Sequence, residues 1–517
     1  MISVAAVGSA SDAAGYYARD NYYTVDQAEG ASTWAGEGAA ELGLSGPVDA
    51  EQFEKVLAGE LPNGVVLDAK RGEHRAGWDV TMSVPKSVSI LALVGGDVRL
   101  VVAVREAAAV TLAWVEANIA EGRVWNGKGQ VPEATGRFVA ATFLHDVNRS
   151  GEPQLHVHNV VANATRTADG KWRALHADQL YERQHVMDAV FLSALRSRIE
   201  TLGFATIPRH DGRNGAFEIA GVSRDVVEAF SARSAQIDAY IKERGLENTL
   251  QAREIAALAT RDPKSSEIAP AQRAEGWRLL VATKGLNPVA LVEDALAQAG
   301  RCETVWTRAM RGVRGIGERG IAIAGRMGLT PCDGDPLVPE RLGRLNSTAY
   351  AAAQAVASAV RDLGEREAAF DRLELIRESL SRGGPVTVAD VEARLALLQE
   401  KKGLLLGDGD RMVTTRGAVQ LEQAYLAAVG AGQGRSAPIV PVIDAASRAQ
   451  EAARELGLRR LNPGQQAAAV LVLSSSDRVV NVQGGAGRGK SAALAPIVSI
   501  ARAEGRAVLG LALASRT

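Results

Sequence analysis

The chain has 517 residues, of which 46% are apolar and 23% are charged, and its formal net charge is −1. This length predicts roughly two to four domains, and the balanced charge gives no overall field that would attract a polyanion. Two cysteines (Cys302 and Cys332) without metal-type spacing, no signal peptide and no apolar run of about 18 residues argue against a disulfide scaffold, secretion and a membrane span, so we expect a cytoplasmic protein without membrane insertion.

The first 300 residues mix strand and helix patterns without strict alternation. Strands are predicted at 2–8, 78–83, 137–146, 153–163 and 171–175, and helices at 49–59, 85–95, 98–121, 181–203 and 223–300. Residues 28–46 are rich in Gly, Ser and Glu and predict a loop with one short helix. The sequence NRSGEP predicts a hairpin between the strands at 137–146 and 153–163. We therefore predict an α+β domain with a central antiparallel sheet flanked by helices.

The composition changes near residue 300, where tryptophan and tyrosine become scarce and Ala, Leu, Arg and Gly dominate. We predict domains at 1–300, 301–435 and 436–517. The arginine-rich segment 301–326 is interpreted as a solvated linker, and a DNA-contacting segment is the alternative. Residues 365–428 predict two helices and a two-stranded wing around GDGD, a winged-helix-like region. Residues 455–517 predict helix, strand, glycine-rich loop, helix and strand, the start of a P-loop α/β domain.

Two of the seven histidines stand two residues apart in PQLHVHNVVAN, and a third lies in FLHD on the strand predicted to pair with it. Alternate residues of a strand share a face, so His156 and His158 point the same way and His145 can join them. Three neutral imidazoles would bind one divalent cation, with Mg²⁺, Mn²⁺, Zn²⁺ and Ni²⁺ all open. The alternative is ordinary half-buried histidines. His74, His176, His185 and His210 are interpreted as structural or exposed.

A lone carboxylate, Asp79, stands in the apolar strand WDVTMS. It could accept a hydrogen bond from a ligand imidazole and so fix its tautomer. A backbone contact at an edge strand is the alternative interpretation.

Four of the eight tyrosines crowd into GYYARDNYY, as the pairs Tyr16–Tyr17 and Tyr22–Tyr23. One interpretation is an aromatic core cluster. The other is nucleophilic: a phenol has a pKa of about 10 and needs a nearby dication to attack a phosphodiester at neutral pH.

The paired tyrosines, WDVTMSVPKSVS and the FLHD and EPQLHVH strands together resemble the HUH endonuclease superfamily, and within it the relaxase domain of MOBF-class conjugative relaxase–helicases. The resemblance covers roughly residues 1–300. It implies an HUH relaxase fold, a metal held by His145, His156 and His158, and an Asp79 that supports a histidine or the nucleophile. It further implies that Tyr16 cuts the nic site and keeps the 5′-phosphate, and that Tyr22 or Tyr23 acts in a later strand transfer.

A glycine-rich loop near the end of the chain satisfies GxxxxGK[ST] after a β-branched run. Such a loop binds phosphates through backbone N–H groups, its lysine and a Mg²⁺-binding serine, so ATP with Mg²⁺ is the expected ligand. The loop residues are Gly484, Gly485, Ala486, Gly487, Arg488, Gly489, Lys490 and Ser491. LNPGQQ upstream resembles the adenine-reading motif of superfamily 1 helicases, with Gln465 as its glutamine, and the segment resembles a RecD-like helicase. The later helicase motifs are not found, so we expect a truncated product that binds nucleotide weakly and does not translocate.

We therefore predict a metal-dependent, site- and strand-specific DNA relaxase that forms a 5′-phosphotyrosine at an origin of transfer and initiates conjugative plasmid transfer. The expected partners are single-stranded DNA, relaxosome accessory proteins and a coupling protein. The alternatives are a rolling-circle replication initiator, a P-loop ATPase with a DNA-binding N-terminal domain, and a small-molecule metalloenzyme.

Overall fold

The computed structural model divides into two compact units, Met1–Thr414 and Thr415–Thr517. The predicted domain boundaries at 300 and 435 stay predictions, and the segment 301–326 lies outside the described residues. The structure describes residues 1–11, 13, 32–67, 74–148, 150–209, 213–247, 249, 252, 255, 256, 259, 260, 270–299, 337, 346–382, 384, 386–407, 409, 411–484 and 489–510.

A five-stranded antiparallel sheet of order β1-β3-β7-β6-β2 forms the centre of the first unit. Four further short pairings or sheets join the remaining strands, β4 with β5, β8 with β9, β10 with β11, and β12 with β14 and β13. The strands are β1 (Ile2–Val7), β2 (Ser32–Ala35), β3 (Gly77–Ser83), β4 (Glu121–Trp125), β5 (Gln130–Ala134), β6 (Ala140–Val147), β7 (Pro153–Ala162), β8 (Thr165–Arg166), β9 (Trp172–Arg173), β10 (Thr206–Pro208), β11 (Phe217–Ile219), β12 (Ala369–Asp371), β13 (Leu404–Leu406) and β14 (Met412–Thr415). The predicted α+β class with a central antiparallel sheet is confirmed.

Helices flank this sheet, and most of them match the predicted ranges. Those of the first unit are α1 (Glu37–Glu41), α2 (Ala50–Leu57), α3 (Lys86–Leu93), α4 (Val98–Ile119), α5 (Asp178–Glu182), α6 (Gln184–Thr201), α7 (Arg224–Ala229), α8 (Ala232–Glu243), α9 (Pro270–Thr283), α10 (Pro288–Gln298), α11 (Ser347–Gly364), α12 (Arg372–Ser381) and α13 (Val388–Glu400). Local signals set their starts: the side chains of Asp49 and Asp97 accept hydrogen bonds from the first turns of α2 and α4, and Pro85 precedes α3.

The two faces of the sheet have different surroundings. One face packs Val80, Met82 and Val157 into a large core with α3, α4 and α6. The other face packs Phe143 and Val160 into a smaller core with Phe53 of α2. The predicted histidines lie on the second face, because they alternate with Leu144, Leu155 and Val157, which enter the first core.

Some elements differ from the prediction. Residues 32–35, predicted as loop, form the edge strand β2, whose partner β6 supplies the hydrogen bonds that a short segment cannot supply for itself. The helix predicted to stop at Gly122 ends at Ile119, and Gly122 instead lies inside β4. The helix predicted over 181–203 is two helices, α5 and α6, which meet at Arg183.

The winged-helix-like region has the order α11, β12, α12, α13, β13 and β14, with the last two strands forming the wing. It packs on the part of the same unit that contains the five-stranded sheet, since its buried residues belong to the same large core. The Trp114 indole N–H donates to Glu392 of α13 over 3.0 Å, and the Ser193 hydroxyl of α6 donates to the carbonyl of Val386 over 3.0 Å.

The second unit is helical in its described part. Its helices are α14 (Arg416–Ala431), α15 (Val442–Glu455), α16 (Pro463–Ser474) and α17 (Lys490–Ala503), of which the last three share an alanine-rich core. The strands predicted around the glycine-rich loop are wrong for the described residues 479–484 and 504–510, which have no strand. A parallel strand needs hydrogen-bonded neighbours, and the described part of this unit supplies none.

Candidate metal centre

Three histidines lie together on one face of the sheet, on the neighbouring strands β6 and β7. His145 is directly opposite His156, and His158 follows two residues further along β7. Because this register is antiparallel and alternate residues share a face, all three imidazoles leave the sheet on the same side. The structure thus brings together the three histidines that the sequence placed on one face.

The three rings surround one small space. Their centroids are 4.7–5.4 Å apart, and one nitrogen of each ring lies within 4.8 Å of the others. Among the described residues, this is the one group of three potential ligands that meets this spacing. His145 and His158 are buried and His156 is partly exposed, so the space opens on one side. Such a donor set can hold a divalent cation and leave coordination positions for a substrate oxygen.

Asp79 on β3 holds one of these rings. Its Oδ2 lies 2.7 Å from Nδ1 of His158, and both residues are buried. A carboxylate at this position favours the tautomer with the proton on Nδ1, so Nε2 is the nitrogen that would bind a cation. The alternative interpretation placed Asp79 on an edge strand in contact with the backbone. In the structure β3 lies between β1 and β7, and the Asp79 side chain contacts His158.

Thr81 belongs to the same group, and the sequence analysis missed it. It is directly opposite His158 in the β3–β7 pairing. Its hydroxyl donates to Oδ1 of Asp79 over 3.1 Å and lies 3.1 Å from Nδ1 of His158. The available signal was its place two residues after Asp79 on the same strand face.

His156 is fixed differently, by the backbone. Its Nδ1 lies 2.7 Å from the carbonyl oxygen of Gln154. Burial, and then the neighbouring His158, lower the pKa of His156 to about 4. The ring is consequently neutral at neutral pH, which is the form that binds a metal.

The four tyrosines Tyr16, Tyr17, Tyr22 and Tyr23 lie outside the described residues. Their predicted roles therefore stay predictions.

The remaining described histidines have structural surroundings. His176 lies 3.1 Å from a carboxylate oxygen of Glu121 and 3.3 Å from one of Asp178. His185 lies 3.3 Å from the amide nitrogen of Asn214. His74 is partly buried, which lowers its pKa, and His210 lies outside the described residues.

The flanks of the glycine-rich loop are held by side chains of the second unit. Lys490 at the start of α17 donates to the carbonyl of Gly484 over 2.6 Å, and the Gln465 amide donates to the carbonyl of Gly489 over 3.0 Å. Gly489 has a φ of +78°, which favours glycine, and a Cβ there would lie 2.4 Å from the Gln465 amide nitrogen. The predicted loop residues 485–488 lie outside the described residues.

Comparison with known proteins gives two family matches. The model of the TrwC relaxase matches residues 10–283, and the model of an AAA domain matches residues 460–517. The chain is 36% identical over 318 residues to the multifunctional conjugation protein TraI of Escherichia coli, a match that covers 59% of this chain and 17% of that protein. The chain thus spans about a sixth of the length of this relative.

Solved structures match the same part of the chain. A metal-bound structure of the conjugative relaxase TrwC in complex with oriT DNA is 33% identical, with a TM-score of 0.51, and covers 56% of this chain and 100% of its own. A copper-bound structure of the same complex is 35% identical, with the same TM-score and coverage.

A search of the described helices finds none with the length and apolar character needed to cross a bilayer. The histidine cluster and its carboxylate lie inside the region matched by the TrwC model, and that region is more than half of the chain. The chain belongs to the TrwC relaxase family.

Proposed function

We propose that this protein is a metal-dependent DNA relaxase that nicks and rejoins one strand at a specific site in an origin of transfer, and so initiates conjugative transfer. The observation that carries this proposal is the meeting of His145, His156 and His158 on one sheet face, in a chain of the TrwC relaxase family. The related TrwC structures contain oriT DNA, and among them one is metal-bound and another is copper-bound.

The histidines would hold a divalent cation through one nitrogen each. Bound there, the cation would supply positive charge to the phosphoryl oxygens of the DNA and favour a nearby phenolate. Asp79 and Thr81 keep the proton of His158 on Nδ1, and the Gln154 carbonyl does the same for His156. These contacts orient both rings before DNA binds, so little reorganisation is needed during the reaction.

Tyr16 is the proposed nucleophile. Its phenol oxygen loses its proton to solvent and attacks the scissile phosphorus, the P–O3′ bond breaks, and the 3′-oxygen takes up a proton and leaves as a 3′-hydroxyl. The 5′-phosphate stays on the tyrosine, so the reverse reaction rejoins the strand without ATP. Tyr22 or Tyr23 would perform a later strand transfer. Tyr17, the second tyrosine of the first pair, is included in the proposed catalytic group.

The substrate would be single-stranded DNA, and relaxosome accessory proteins and a coupling protein are the proposed partners in the cytoplasm. We also propose a nucleotide site in the second unit, with Lys490 and Ser491 at the phosphates and Gln465 at the adenine. The AAA-domain match over 460–517 and the contacts of Lys490 and Gln465 with the loop flanks support it. Helicase activity is not part of the proposal.

The test uses a single-stranded oligonucleotide that spans a candidate nic site, incubated with the full chain and Mg²⁺ or Mn²⁺. We expect a covalent adduct between the protein and the 5′ end of the downstream piece, lost with EDTA and in Tyr16→Phe. An adduct that survives in Tyr16→Phe would contradict the choice of nucleophile. No adduct at all would favour a P-loop ATPase or a small-molecule metalloenzyme, and an adduct formed only at a replication origin would favour a rolling-circle initiator.

A further inference from the structure

The strand that carries His156 and His158 has a gap in its backbone pairing just before His156. The β3–β7 pairing ends where Ser83 faces His156. On the other side of β7, the β6 register is irregular between His145 and Val147, so Gln154 and Leu155 lie beside a bulge. A bulge leaves backbone groups unpaired and lets the strand bend, which would loosen the ligand that follows.

Helix α3 and the turn before it fill this gap with four hydrogen bonds. The backbone N–H of Leu155 donates to the Ser89 hydroxyl over 2.9 Å, and the N–H of Val84 donates to the carbonyl of Leu155 over 3.2 Å. The Gln154 amide donates to the carbonyl of Val84 over 3.1 Å. The Lys86 ammonium donates to the carbonyl of Pro153 over 3.1 Å.

The start of α3 is itself fixed from behind. The Ser87 backbone N–H donates to Glu218 over 3.0 Å and its hydroxyl donates to the same oxygen over 2.5 Å, while the N–H of Ile219 donates to the Ser87 hydroxyl over 2.8 Å. Ser87 and Ser89 are fully buried. The side chains of Lys86, Ser87 and Ser89 therefore link α3 to β7 and β11 through hydrogen bonds.

These contacts act on His156 through one carbonyl. The proton-bearing Nδ1 of His156 is held by the Gln154 carbonyl, and Gln154 lies between the two residues that Lys86 and Ser89 bind. His158, in contrast, is held by side chains of β3. A shift of residues 153–155 would turn the ring of His156 and leave His158 in place.

We propose that Lys86 and Ser89 are positioning residues that set the orientation of His156 as a metal ligand. This inference rests on the proposed metal centre. The cost of keeping Lys86 there supports it: burial lowers the pKa of its ammonium to about 8, although the charges of Glu152 and Glu218 oppose the shift. A methionine would fill the same space without that cost, so a side chain kept only for packing would not need the charge.

The test measures Ni²⁺ binding to the full chain by calorimetry in a two-by-two set of variants. Ni²⁺ is the probe because imidazole sites bind it more tightly than Mn²⁺, which keeps weakened variants measurable. We expect Lys86→Met to weaken Ni²⁺ binding by roughly five- to 10-fold, at the lower end of the cost of losing a direct partner of a ligand, because Lys86 acts on His156 through the Gln154 carbonyl. In the His156→Ala background the same substitution should change the affinity by less than about twofold, because the ring it positions is gone.

Two controls separate positioning from general damage. Lys128→Met removes an exposed lysine of the same unit and should leave Ni²⁺ binding unchanged. The melting temperature of Lys86→Met should change little, because removal of the partly buried charge offsets the loss of the hydrogen bond to the Pro153 carbonyl. Ser89→Ala should weaken binding in the same His156-dependent way.

Equal weakening by Lys86→Met with and without His156, or no weakening at all, would overturn this inference while the metal centre stands. Ni²⁺ binding that is the same in His158→Ala as in the unsubstituted chain would instead overturn the metal centre itself, and this inference with it.

Discussion

The histidine cluster of the first unit and the glycine-rich loop of the second unit are both short motifs, but their supports differ. The histidines are fixed by the register of two paired strands, by Asp79 and Thr81 on a third strand, and by contacts from α3. The described flanks of the loop are held by two side-chain hydrogen bonds, from Lys490 and Gln465, and no described strand adjoins them. A set of ligand side chains from several strands thus depends on the scaffold for its geometry, whereas the glycine-rich loop is a contiguous motif that the sequence reveals by itself.

The largest effect is expected from a variant that removes one ligand of the metal centre. His158→Ala removes a ligand and the partner of Asp79 together, so we expect Mn²⁺ binding to fall by more than the roughly 10- to 100-fold cost of losing an outer partner, and the DNA adduct to disappear. Calorimetry and gel analysis of the adduct measure the two results. His176→Ala, outside the cluster, is the matched control, and a His158→Ala protein that still forms the adduct would contradict the ligand set.

A smaller loss of Mn²⁺ affinity is expected from variants of β3, the strand that supports His158. Asp79→Asn keeps the size of the side chain but removes the charge that holds the Nδ1 proton of His158, so we expect Mn²⁺ affinity to fall roughly 10- to 100-fold with the fold intact. Thr81→Val should cost less, because Thr81 acts on His158 partly through Asp79. If Thr81→Val costs more than Asp79→Asn, the carboxylate is not the main support of His158.

A third experiment tests whether the glycine-rich loop binds nucleotide, although no described strand supports it as paired strands support the histidines. Lys490→Ala removes one charged hydrogen-bond donor to a phosphate, so we expect about a tenfold loss of affinity for a fluorescent ATP analogue. Adduct formation should be unchanged, because the nicking chemistry needs no ATP. Unaltered nucleotide binding in Lys490→Ala would mean that the loop does not hold phosphates, and Arg502→Ala on the same helix serves as the control.

The smallest effect is a pH dependence of the metal-free protein. The pKa of His156 is lowered to about 4 by burial, so between pH 6.5 and about 4 the unfolded chain binds a proton that the folded chain excludes. His156 therefore costs the fold no stability above pH 6.5, and it destabilises the fold increasingly as the pH falls from 6.5 towards 4. Melting temperatures measured from pH 7 to 5 should fall, and His156→Gln should reduce that fall. An identical pH profile in His156→Gln would show that the ring is solvated in the folded protein.

Local patterns predicted the elements that carry the site. The alternation of PQLHVHNVVAN, the NRSGEP turn and the apolar strand around Asp79 each involve neighbours in sequence, and β3, β6 and β7 formed close to the predicted ranges. The edge strand β2 was not predicted, because Ser32–Ala35 becomes a strand only through its pairing with β6. The strands expected beside the glycine-rich loop failed in the described residues for the same reason, since β-branched residues favour a strand only where a partner exists.

The sequence by itself determined which side chains leave one face of a strand, because the two-residue period of a strand is a local property of the backbone. Only the tertiary structure decided that β3 pairs with β7, which brings Thr81 opposite His158, and that α3 closes the gap before His156. Those pairings join segments more than 60 residues apart. They depend on which faces bury their apolar side chains together, a choice that the whole core makes and no single segment can specify.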